Sequence, residues 1–99
     1  MNGNAELRET LESILMVTRR MRKNLYRLMA KQNILPCQMA YKVFPDKRLI
    51  EILVSGAKYL RISCNNQDSR YMTYRETILI LDCIENRCEQ LLTGLQKKI

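Results

Sequence analysis

The chain has 99 residues, 46% hydrophobic and 27% charged, with 17 Lys and Arg against 10 Asp and Glu for a net charge of +7. That composition is globular, and residues 1–99 are expected to form a single domain, too small to surround a deep enzyme cleft. No run approaches 18 uncharged apolar residues, and the opening Met1-Asn2-Gly3-Asn4-Ala5-Glu6 lacks the basic start and apolar core of a secretory leader, so a cytoplasmic protein is expected.

The first predicted element is a long helix, from about Asn4 to Lys31. Leu7, Leu11, Ile14, Met21, Leu25 and Leu28 recur at alternating spacings of four and three, broken only by Thr18. Such a seam seeks another apolar surface, and a homodimer held through it is expected. Glu6, Glu9 and Glu12 fall early and a basic cluster falls late, an order that also complements the helix dipole. Asn33 and Pro36 end the helix.

The next stretch reads with period two. Met39 to Phe44, Arg48 to Val54 and Lys58 to Cys64 alternate as strands, separated by turns at Pro45-Asp46-Lys47 and Ser55-Gly56. A two-residue first loop pairs Val43 with Ile50 and Tyr41 with Ile52, and an odd second loop aligns Lys42, Glu51 and Arg61 in an outer charge row. Phe44, Leu49, Leu53 and Tyr59 share that outer face and form a second contact surface. Cys37 and Cys64 then sit at opposite ends of the sheet, too far apart for a disulfide.

After the polar loop Asn65-Asn66-Gln67-Asp68-Ser69, Thr73-Tyr74-Arg75-Glu76 matches a capping box before an apolar run. A second helix is predicted to about Leu92 or Thr93, with Gly94 as its C-cap. The expected class is therefore α+β: a long N-terminal helix, a three-stranded antiparallel meander and a C-terminal helix, in the order α-β-β-β-α.

Chemistry is sparse. Histidine is absent, and Cys37, Cys64, Cys83 and Cys88 have no metal-like spacing, so buried reduced thiols and no metal or cofactor are expected. The three glycines build no phosphate-cradling loop. Pro45-Asp46 with Glu51 resembles a nuclease carboxylate pair only distantly, because Leu53 stands where a Lys is required. Asp82, Glu85 and Glu89 share one helical face; they suit a divalent cation in a minor, metal-dependent-enzyme reading, or the basic residues of the first helix.

What remains is binding. Arg19, Arg20, Arg22, Lys23, Tyr26, Arg27 and Lys31 supply charge and hydrogen bonding for nucleic acid or an acidic protein surface. The expected function is a small, non-enzymatic, self-associating binding protein, an accessory or inhibitor of phage or mobile-element type, with no membrane or small-molecule partner. The alternative is a protein–protein adaptor docking through the seam and the outer sheet face.

Overall fold

Helices make up most of the described backbone: α1 (Asn2–Lys31), α2 (Lys47–Tyr59) and α3 (Tyr74–Lys97), with one 3-10 turn at Pro36–Gln38. The computed structural model describes residues 2–63 and 72–97, and side chains over 4–63 and 72–96. No described helix is long and apolar enough to cross a membrane.

α1 starts two residues earlier than expected and stops where expected. Asn33 takes φ 55°. Its N–H donates to the Ala30 carbonyl at 3.2 Å, and the Ile34 N–H reaches back to Met29 at 2.9 Å. This paired closure satisfies two otherwise orphaned carbonyls, and Asn tolerates the left-handed conformation it needs. Leu35 is extended, as a residue before proline must be, and sends the chain away from the helix axis.

The expected meander, and with it the α+β class, is overturned: the protein is a three-helix bundle. Among the described residues the only strand-like pairing is one antiparallel bridge, Val43 with Thr73. Asp46 does not turn a hairpin; its Oδ1 accepts the Leu49 N–H at 3.1 Å and caps α2. From there Ile50, Leu53, Ala57 and Leu60 are buried at spacings of three and four, a helical stripe, while Ile52 is 51% exposed. The run Leu49-Ile50-Glu51-Ile52-Leu53-Val54 satisfies both periods, and burial against α3 selects the helical one. The Lys42–Glu51–Arg61 row and the pairings of Val43 with Ile50 and Tyr41 with Ile52 therefore do not exist. The outer sheet face dissolves too: Phe44 and Leu53 are core, Leu49 is half-buried and Tyr59 is exposed.

α2 closes at Arg61 by the motif that ends α1, with φ 58°. The Ile62 N–H bonds Ala57 at 2.8 Å and the Arg61 N–H bonds Lys58 at 3.0 Å. α3 begins on the predicted capping box. The Glu76 N–H donates to Thr73 Oγ1 at 3.2 Å, and Glu76 Oε1 accepts the Thr73 N–H at 3.1 Å. Its end was misjudged, because Gly94 lies inside α3, which continues to Lys97. Cys64 and the Asn65–Ser69 loop lie outside the described residues, and without a sheet the separation of Cys37 and Cys64 is no longer implied.

α3 is the shared floor. Both α1 and α2 pack on it, and their backbones stay farther from each other than from α3. One hydrophobic cluster joins Leu11, Leu25 and Met29 of α1 to Ile50 and Leu53 of α2 and to Ile78, Leu81, Ile84 and Cys88 of α3. The segment after α1 plugs one end: Phe44 meets Tyr74 edge-on at 5.3 Å between ring centroids, and Tyr74 donates its hydroxyl to Gln32 Oε1 at 3.1 Å. Two buried threonines cost little, because Thr18 donates to the Ile14 carbonyl at 2.6 Å and Thr77 to Thr73 at 2.9 Å within their own helices.

Two substitutions test these ends. Thr73→Ala removes the cap of α3 and should lower stability by about 1 kcal/mol. Arg61→Gly relieves a left-handed non-glycine residue and should raise it by about 0.5–1 kcal/mol. Urea unfolding should show both as shifts in midpoint at unchanged slope.

Candidate nucleic-acid interface

The basic cluster of α1 is not one surface, and packing on α3 divides it. α1 and α3 run antiparallel, and Arg19 and Arg22 turn toward α3. Arg19 donates through Nη2 to Glu89 Oε1 at 3.0 Å and through Nε to Glu85 Oε1 at 3.4 Å. Arg22 donates through Nη2 to Asp82 Oδ1 at 2.6 Å and through Nη1 to Glu85 Oε2. Glu85 is thus shared by two guanidinium groups. The carboxylates of Asp82, Glu85 and Glu89 serve the protein's own arginines, and no group of three or more His, Cys, Asp or Glu side chains is disposed to hold a metal among the described residues.

The two pairings differ in weight. Arg19 is more than half exposed, and its guanidinium, held above its ordinary pKa by Glu89 and then Glu85, rests on a solvated pair worth little. Arg22 and Glu85 are only 23% and 17% exposed, so each depends on the other for its charge to be tolerated. Tyr26, four residues after Arg22 and seven after Arg19, lies on that same side and is half exposed.

Arg20, Lys23, Arg27 and Lys31 are left. They are exposed, have no ion-pair partner among the described residues, and recur at spacings of three and four on the side of α1 facing away from α3. The stripe is roughly 16 Å long at ~1.5 Å per residue. It continues onto the end of the bundle. The Tyr74–Gln32 bond, the Tyr74 N–H to the Lys42 carbonyl at 3.0 Å and the Arg75 N–H to Met39 at 3.0 Å gather the end of α1 and the starts of α2 and α3. Exposed Lys42, Lys47, Arg48 and Arg75 collect there, with exposed Leu35, Tyr41 and Val43 beside them. Of the acids near this end, Asp46 and Glu76 are engaged in capping α2 and α3, and exposed Glu51 lies one turn along α2 from Lys47 and Arg48. Glu6, Glu9 and Glu12 lie toward the other end of a body 48 Å long. The sequence does not mark these end cations as a group, because they come from the segment before α2, the start of α2 and the start of α3, which only the fold draws together.

The other expected sites are placed as follows. Within the seam, Leu11 and Leu25 are 0% and 2% exposed, covered by the chain's own α3 and α2 side. Ile14, Met21 and Leu28 are half-buried against the same core, and Leu7 is the exposed member. The nuclease-like pair is separated in role: Asp46 caps α2 and Glu51 is exposed on it. Cys37 and Cys83 are exposed free thiols, contrary to the expectation of burial, and Cys88 alone of the described cysteines is buried. Burial, and secondarily Glu89, pushes the Cys88 thiol up.

No protein-family model, curated protein or solved structure matches this chain.

Two measurements probe these placements. Arg22→Met should cost about 1–3 kcal/mol by leaving the partly buried Glu85 only the long bond from exposed Arg19, while Arg19→Ala should cost well under ~1 kcal/mol. Thermal unfolding of both variants gives the ordering, and equal costs would show that Glu85 does not rely on Arg22. With an alkylating reagent and peptide mapping, Cys37 and Cys83 should react in the native protein and Cys88 only on unfolding.

Proposed function

We propose that this is a non-enzymatic nucleic-acid-binding protein, acting as a small accessory or inhibitor that occupies a phosphate backbone. The observation that carries the reading is the division of the basic cluster. Two arginines are neutralised against α3, whereas Arg20, Lys23, Arg27 and Lys31 lie together on the opposite side without counter-charges among the described residues. Lys42, Lys47, Arg48 and Arg75 extend the positive field around one end. Unrelieved like charges on adjacent turns repel by a few tenths of a kcal/mol per pair, and a polyanion both relieves that repulsion and releases counterions.

The stripe presents cations and no base-reading set, so the reading is of backbone contact with little sequence preference. Tyr41 beside the cationic end offers a stacking face for an unpaired base. Self-association through the heptad seam has no place in this reading, because Leu11, Thr18 and Leu25 are buried within the chain.

The test uses a fluorescent 20-base-pair DNA duplex and the same sequence as a single strand. With about four phosphates neutralised, affinity for the duplex should fall roughly a hundredfold between 50 and 200 mM salt. Lys23→Glu with Arg27→Glu should weaken binding at least tenfold while circular dichroism and melting stay unchanged. An affinity insensitive to that double reversal would assign the stripe to solvation alone.

A further inference from the structure

α1 and α2 both lie on α3 with their backbones held apart, and a trough runs between them. Its upper part is an almost wholly apolar hollow of about 230 Å³ lined by Ile14, Val17, Met21, Ile52 and Gly56, with Ile84 at the floor. A lower hollow of about 250 Å³ continues past Met21 to Leu28, Phe44 and Leu49. Val17 and Ile52 stand 43% and 51% exposed on the two walls, an apolar pair facing water across the gap. Along α1 the trough extends from Ser13 to Leu28, roughly 22 Å at ~1.5 Å per residue, or four helical turns.

Gly56 adds an independent observation. It sits inside α2 without a positive φ, so its backbone does not require glycine. Nor does crowding, since an added Cβ would meet nothing closer than Ile84 Cδ1 at 3.8 Å, an ordinary contact. Alanine would fit and would favour the helix by roughly 0.5–1 kcal/mol. The missing Cβ therefore serves nothing within the chain, and the space it leaves opens into the trough, where another backbone can approach α2 closely.

Charge specifies the occupant. Arg20 follows Val17 by three residues on α1, and Arg48 precedes Ile52 by four on α2, so exposed arginines border both walls. Asp46, the one acid along the lining, is engaged in capping α2. A second copy of the chain is disfavoured by the net charge of +7 on each.

We propose that the α1–α2 trough receives an amphipathic helix from an acidic protein partner, which completes a four-helix arrangement on α3. The helix presents apolar side chains at i, i+3 and i+7 to Val17, Met21 and Ile52, passes closest to α2 at Gly56, and sets carboxylates against Arg20 and Arg48. The apolar lining of the trough is separate from the phosphate-binding surface, although Arg20 and Arg48 border both, and the proposal stands whether or not that reading does.

The probe is a labelled 18-residue peptide with Leu at i, i+3, i+7, i+10 and i+14, Glu on both flanks of that stripe and Ala elsewhere. Controls are a scrambled peptide of the same composition and one with Lys replacing Glu. Fluorescence anisotropy should show the acidic amphipathic peptide binding at least tenfold more tightly than either control. Gly56→Met, which fills the trough, and Ile52→Gln, which makes its wall polar at an exposed position, should each weaken it at least fivefold with helicity retained. Arg48→Glu should weaken it severalfold, while Lys23→Glu with Arg27→Glu changes it less than threefold. Equal binding of the scrambled peptide, or affinity unmoved by both trough variants, overturns the proposal. So does sedimentation showing a dimer that Ile52→Gln dissociates, which would make the occupant a second copy.

Discussion

One constraint organises the molecule: the apolar stripe of α3 must be covered by two helices whose backbones stay apart from each other. Leu81, Ile84 and Cys88 are 0–2% exposed because α1 closes over one flank and α2 over the other. Neither cover is self-sufficient, since a helix of 13 residues such as α2 is marginal in water without a surface to pack on. Fixing α1 on α3 then determines the remainder. The rotation that buries Leu11 and Leu25 is the one that turns Arg19 and Arg22 to Asp82, Glu85 and Glu89, so burial and ion pairing select the same setting. The trough is the geometric consequence of covering one stripe from two sides.

Charge is sorted by the same rotation. Successive residues of a helix differ by about 100°, so Arg19 and Arg20, or Arg22 and Lys23, are neighbours in sequence that face different surroundings. One of each pair is neutralised against α3 and the other meets solvent. A cluster that looks uniform along the chain is therefore partly structural, and only Arg20, Lys23, Arg27 and Lys31 are left by packing to face solvent without counter-charges among the described residues. This also explains why the acids of α3 form a row: they balance the two arginines that the seam brings within reach.

Local signals were legible in the sequence, and signals that depend on a partner element were not. Asn33 and the Thr73–Glu76 capping box each act within a few residues and appear as the pattern implied, whereas Gly94 lies inside α3 and the first turn of α1 holds no acid. α2 was misread because Leu49–Val54 is apolar at both periods and Asp46 suits a turn or a cap equally. Only the burial of Ala57 and Leu60 on the stripe of Ile50 and Leu53 separates them, and that requires α3 to be in place. The pairing of Asp82, Glu85 and Glu89 with α1 was foreseeable from their spacing, but which arginines they would take was not, because it depends on the rotation of α1. The trough could not be foreseen at all, since one of its walls had been assigned to a sheet.

The two proposed surfaces adjoin, and Arg20 on α1 and Arg48 on α2 belong to both. Arg20 is a member of the stripe with Lys23, Arg27 and Lys31, and it borders the trough beside Val17. A carboxylate seated against Arg20 would lower the positive potential along the stripe, and phosphates bound to the stripe would compete for the same guanidinium. Thermodynamic linkage makes any such coupling reciprocal: whatever an acidic helix takes from nucleic-acid affinity, nucleic acid takes equally from the helix. Lys23, Arg27 and Lys31 lie beyond the trough lining, so the coupling would be partial and screened by salt. With both sites operating, the protein would exchange between partners more readily than it would bridge them. That behaviour would suit an accessory or inhibitor whose hold on nucleic acid is released by an acidic helix.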